Sequence, residues 1–397
     1  MAEVCLRVGL AISLVTLAGA CGAPSPMSGV DCPEPIDGGS SGSALRRALL
    51  DAKEGDCVVA RGGTFREGGF AVNAGVTLAA EDGAKVVLEG NADDAAVLTV
   101  AAGGAAWGVQ VSAAPKIGVV VDAPGSTLDL VTVSGAREAG VAVRCVGDCS
   151  IDQQPVILQD LTLTDSSTGL WVSGAPVTVV NGQVSDQQGR SLVGGYGIVA
   201  LGGAMVQLTA TVIEANQMAG VLVDGAGGTR VLLTAVQVTN NIGRGIWAQG
   251  LTGTPETPGL IVDGGSVLEH NGMAGLGVVA SSGVRFEDSR VSATVKVPTL
   301  TQDSGVVDIG DGVGLFAGSR AIEIRNSVLE RNERTQLLVD QGGDGIHVVD
   351  VTVVAEGDEY KVVVQRTSST VEVPSDLVSE IPVVVHTDSS PMPVPAL

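Results

Sequence analysis

The polar and apolar positions of this chain fall into one short unit written many times. The marker is a Gly followed by an apolar-x-apolar triple: Gly118-Val-Val-Val, Gly140-Val-Ala-Val, Gly169-Leu-Trp-Val, Gly197-Ile-Val-Ala, Gly220-Val-Leu-Val, Gly245-Ile-Trp-Ala, Gly275-Leu-Gly-Val and Gly314-Leu-Phe-Ala, then Gln336-Leu-Leu-Val without the Gly. Most copies lie 22 to 30 residues apart, the interval from Gly275 to Gly314 excepted. Each copy holds two further apolar runs, such as Val231-Leu-Leu and Val236-Gln-Val. Three short strands per unit follow. Strands of this length are not stable alone, and three per repeat predict one coil of a parallel β-solenoid, each coil stacked on the last at about 4.8 Å. About eleven coils are expected, around a Val, Ile and Leu core. Asp165, Asn216, Asn241, Asn271 and Asn332 stand four residues ahead of the repeat position, where stacked amides can hydrogen-bond along the axis.

Composition narrows the class. Of 397 residues 56 are Gly, nine are aromatic and 45% are hydrophobic. A disordered chain would be poorer in aliphatic residues, and a helical bundle would not be built on Gly and Val. No strict three-residue Gly period exists, so collagen is excluded. The formal charge is −22, which argues against nucleic acid as a general partner, because phosphate requires a basic field.

The amino terminus reads as an export signal. Residues 8–20 form an apolar run too short to span a bilayer and of the length of a signal-peptide core. Small residues precede Cys21, and the segment resembles a bacterial lipoprotein signal. That resemblance implies a signal peptide over 1–20, a lipid on Cys21 and an outer-membrane or extracellular location. Residues 21–43, rich in Gly, Pro and Ser, are expected to be a tether. Cys32, Cys57, Cys145 and Cys149 remain, an even number in an exported chain. The economical pairing is Cys32–Cys57 with Cys145–Cys149; zinc is the rival use.

The repeat resembles that of right-handed parallel β-helices of the pectin-lyase-like superfamily over 44–365. Its start is similar too: Ala44-LRRALLDAKEGDCVVARGGTF looks like the capping helix, a Gly55-Asp56 turn and a first strand. The resemblance implies an all-β, three-sheet solenoid with an N-terminal cap and a tail over 366–397, in which residues 371–373 or 382–385 could add a closing strand. The superfamily includes polysaccharide lyases, hydrolases, epimerases and members without shown activity. The Asn-Thr-Asp, Asp-Asp, Gly-His-Gly and Arg-x-Lys set of its hydrolases is absent, as is the Asp-Pro-His-Asp of its mannuronan epimerases.

Candidate chemistry comes from the outward positions. On the strand that opens each coil these are Asp129, Ile157, Thr178, Gln207, Leu232, Ile261, Arg285, Glu323 and His347. Arg285 would bind a uronate carboxylate while Glu323 and His347 act as acid and base. A salt-bridged solvated face is the competing reading, since Glu287 faces Arg325 in the same register. On the Gly-led strand Trp171, Trp247 and Phe316 are expected to line up outward, either to contact a sugar or a partner or to be covered by long loops or the C-terminal tail. Insertions fall at 144–154, 185–195, 249–259 and 292–312. The last carries Asp303, Asp308 and Asp311, oxygen donors suited to Ca²⁺. The expectation is an exported binding or structural surface module contacting polysaccharide or a cell-surface partner, with no other cofactor. The alternative is a lyase or hydrolase acting on uronate polymers.

Overall fold

The computed structural model describes residues 34–367, apart from 113, 148, 151–152, 190–193, 301–305 and 357–359, together with Val30, Cys32, 371–372 and 384–386. The signal segment, tether residues 21–29, 31 and 33 (Cys21 among them), Asp303 and most of the tail lie outside the described residues.

Three parallel sheets wind into a solenoid. Sheet I has 14 strands, from Ile36–Asp37 to Val371–Glu372. Sheet II has 12, from Gly63–Phe65 to Thr352–Val354. Sheet III runs from Phe70–Val72 to Val384–His386. The 12 strands of sheet II give as many coils with all three strands, close to the eleven expected. Parts of both candidate closing strands are described, Val371–Glu372 pairing with Ile346–His347 and Val384–His386 with Val363–Gln365. Alternate residues point inward, and the Val, Leu and Ile among them fill one continuous buried core. Each such side chain contributes roughly 1.5–3 kcal/mol when fully buried.

Corners are made economically. The bend from sheet I to sheet II is a single left-handed residue in many coils, among them Asp160, Asn181, Ala210, Ala235 and Asn326, with φ between 48° and 55°. The repeat glycines answer a different need. Their φ is not left-handed, but a Cβ on Gly140, Gly169, Gly197, Gly220 or Gly245 would lie 2.4–2.8 Å from the carbonyl oxygen of the aligned Gly in the next coil. Gly is therefore required by close backbone approach.

Beside these glycines runs the predicted ladder. Asn216 Nδ2 donates to Asn241 Oδ1 at 2.8 Å, and Asn241 Nδ2 to Asn271 Oδ1 at 2.8 Å. It extends further than the Asn pattern indicated: Gln187 N donates to Asn216 Oδ1, and Ser166 N to Gln187 Oε1. Asp165 is not in it. That residue makes the left-handed corner (φ 49°), and Ser166 occupies the rung.

The helix Gly42–Asp51 closes the first coil. Ser41 caps it, its side chain accepting from Ala44 N, and Leu45 and Leu49 enter the core. The register of the late coils departs from expectation. Gly277 pairs with Gly314, so Gly312 holds the repeat position. The 292–312 insertion is not simply a solvated loop: Val297–Leu300 forms an antiparallel ribbon with the start of Val306–Phe316.

Candidate functional site

The outer face of sheet I carries an open cleft of about 550 Å³. Its floor is the outward column Thr178, Gln207, Leu232 and Ile261, in consecutive register. Its walls come from two insertions. One brings Gln153 and Pro155, just after the loop closed by the Cys145–Cys149 disulfide; the other brings Pro258. Arg230 stands at the lower end of its strand within the same cleft. Flat apolar patches beside amide, hydroxyl and guanidinium groups suit an oligosaccharide, which presents both C–H faces and hydroxyls.

Beyond Ile261 the column becomes ionic. Arg285 pairs with Glu323 and Glu323 with His347 in the strand register. Arg285 Nε donates to Glu323 Oε2 at 3.0 Å, and Arg325 Nη1 donates to Glu323 Oε1 at 3.3 Å. Arg325 also bonds Glu287, and this contact raises its pKa above the usual arginine value. Arg285 Nη2 reaches back to the Pro255 carbonyl, tying the row to the cleft wall. His347 Nδ1 lies 2.7 Å from Glu372 Oε2. The structure thus brings Arg285, Glu323 and His347 onto one row, with Glu323 held by two arginines. Asp129, placed in this column by the sequence pattern, belongs elsewhere: it pairs with Trp107 and Gln159 and is 5% exposed. Burial, with Asp160 nearby, raises its carboxyl pKa.

The aromatic stripe is corrected. Trp171 is exposed, at 37%, but Trp247 is 8% and Phe316 2% exposed. Phe316 pairs with Val279, not with Gly277, so it stands off the Trp171–Trp247 column. The rings of Trp247 and Phe316 lie 6.2 Å apart in an apolar cluster with Val279, Leu338 and Val363, outside the main core. The missing side chains at Gly277 and Gly314 make this possible, because Trp247 folds over the first and Phe316 over the second.

Asp308 and Asp311 do not converge on a cation. Asp308 is exposed, whereas Asp311 is buried and held by Arg334, Nε to Oδ1 at 2.6 Å. Among the described residues no group of three or more His, Cys, Asp or Glu side chains could hold a metal ion. Cys32–Cys57 and Cys145–Cys149 are both joined. The cleft walls at Pro155 and Pro258 were not singled out from the sequence, although the insertions at 144–154 and 249–259 marked their positions.

A family model described as a right handed beta helix region matches residues 189–353. No curated protein matches the chain. Among solved structures, the Dettilon tailspike protein is 11% identical with a TM-score of 0.54, over 85% of this chain and 66% of its own. This chain therefore spans just under two thirds of the tailspike. The Agl-KA catalytic domain is 12% identical with a TM-score of 0.53, over 88% of this chain and 70% of its own. At these identities the likeness is one of fold, the right-handed parallel β-helix.

Proposed function

We propose that this is an exported, carbohydrate-active β-helix protein that holds an extended polysaccharide along the outer face of sheet I. The observation that carries the reading is the cleft itself. Two insertions wall it, its floor mixes apolar and hydrogen-bonding side chains, and it runs without a step into the Arg285–Glu323–His347 row. Cleavage of a uronate polymer at the row is the second reading. The His347–Glu372 contact favours it, since a carboxylate at Nδ1 leaves Nε2 to take a proton. Against it stand the two arginines on Glu323. Delivery to the envelope by a signal over 1–20, a lipid on Cys21 and a tether belongs to the same proposal, the tether being shorter than the 21–43 expected, because Ile36–Asp37 already pairs in sheet I and the helix starts at Gly42.

The test is incubation of the mature chain with uronate and neutral polysaccharides, with and without Ca²⁺, reading both retention and new chain ends. Retention lost in Gln207→Ala/Leu232→Ala supports the cleft. New chain ends abolished by His347→Ala raise the second reading above the first. No retention of any polymer sinks both.

A further inference from the structure

The outer face of sheet III holds a cation with no counter-charge among the described residues. Arg244 lies over the ring of Trp247, its Cζ 4.0 Å from the centroid. The ring itself lies against Gly277 and is fixed there. The other arginines that are not exposed are matched, among them Arg285 with Glu323, Arg325 with Glu287 and Arg366 with Asp340, whereas Arg47, Arg137, Arg230 and Arg320, without an ion pair among the described residues, stand exposed in water. Arg244 has no acid partner among the described residues, and its Nε is buried with no hydrogen bond. Desolvation pulls its pKa below the usual arginine range.

Leaving a guanidinium half out of water and unpaired is unfavourable. In a chain with twice as many acids as bases, 44 against 22, a local acid would be easy to supply. Its absence suggests that the partner arrives from outside. The surroundings indicate what kind. Tyr196 sits two coils below in the same column, with only Ala219 between, and Trp171 is exposed one coil below Tyr196. Trp171 stands in the neighbouring column, that of Trp247, so it lies three strand spacings, about 14 Å, below Arg244 along the axis and three residues, about 10 Å, along the strand from it. An aromatic run ending in a planar cation matches a chain of sugar rings that carries a carboxylate. The rings stack on Trp171 and Tyr196, and the carboxylate accepts from the two terminal nitrogens of Arg244.

We propose that Arg244, with Tyr196 and Trp171, forms a second glycan site on sheet III that takes a carboxylate-bearing sugar chain. It lies on a different face from the cleft and stands independently of it. Trp247, in contact with the guanidinium, is a built-in reporter. Titrating the oxidised mature chain with a galacturonate trimer should change tryptophan fluorescence saturably, and a neutral galactose trimer should not. Arg244→Gln should weaken the acidic trimer about tenfold or more, the loss of a charge-assisted pair; Arg244→Lys should fall between. Trp247→Phe should reduce the optical signal to the part that Trp171 contributes, while calorimetry still detects binding. Arg230→Gln, in the cleft, should leave the signal unchanged, which separates this site from the cleft. A flat wild-type titration overturns the proposal, as does unaltered affinity in a folded Arg244→Gln. If that variant does not fold, wild-type affinity in Arg244→Lys overturns it as well.

Discussion

Asn241→Ala isolates what the internal ladder contributes. Asn241 is 1% exposed, and its Oδ1 accepts from both Asn216 N (3.1 Å) and Asn216 Nδ2 (2.8 Å). Its Nδ2 donates to Asn271 Oδ1 at 2.8 Å. Truncation leaves two donors of Asn216 without an acceptor in a site where Asn216 itself is fully buried. Each stranded group costs about 1–3 kcal/mol, so the expected loss is about 2–6 kcal/mol. Asn271 Oδ1 is less affected, because Asn241 N still donates to it. Urea unfolding of the oxidised chain measures the loss. Gln237→Ala, an exposed position on the preceding strand, is the control. Hydrogen exchange should show the Asn216 amide losing protection while amides several coils away keep theirs. A loss under about 0.5 kcal/mol, or one equal to the control's, would refute the view that the ladder's bonds outweigh those the amides make with water.

Other substitutions probe the remaining devices. Gly220→Ala places a Cβ 2.6 Å from Val238 Cγ1 and 2.8 Å from the Gly245 oxygen; a loss of about 1–3 kcal/mol is expected from overpacking, read as a lowered urea midpoint. Ala210→Gly relieves a left-handed corner (φ 50°) and should stabilise by roughly 1 kcal/mol, seen as a raised melting temperature. Asp129→Asn tests a raised pKa. The folded carboxyl holds its proton more tightly than the unfolded one, so the wild type is penalised above the raised value and relieved as pH falls towards 3.8. The variant's advantage, measured by unfolding at several pH values, should therefore be largest near neutrality and vanish in acid.

The fold was legible because its rule is local and repeated. One Gly per coil, an Asn four residues earlier and alternating Val and Leu each report the same stacking, so errors at one coil do not spread. The late register was misread for a definite reason. Gly312 and Gly314 both precede apolar residues, and choosing the second shifted Phe316 by two positions. Outward exposure was harder still. Alternation says that Trp247 leaves the core, and it does, but whether it then meets water depends on Gly277 and Phe316 in later coils. The cleft depends on where two insertions fold, which strand periodicity does not encode. Arg244 gave no signal in the sequence, because a missing counter-ion is a fact about neighbours in space.

The Cys32–Cys57 bond closes a loop around the first sheet I strand and the capping helix, and Cys57 begins the next strand, Cys57–Ala60. Tension applied upstream of Cys32 therefore enters the solenoid at Cys57 and bypasses the helix. A pull that would otherwise peel the terminal strand and then unseat Leu45 and Leu49 instead loads Cys57–Ala60 along its length. Parallel strands loaded in shear must break several hydrogen bonds at once, whereas peeling breaks them singly. The oxidised protein should thus withstand a mechanical load from its N-terminal side that opens the reduced protein from its cap.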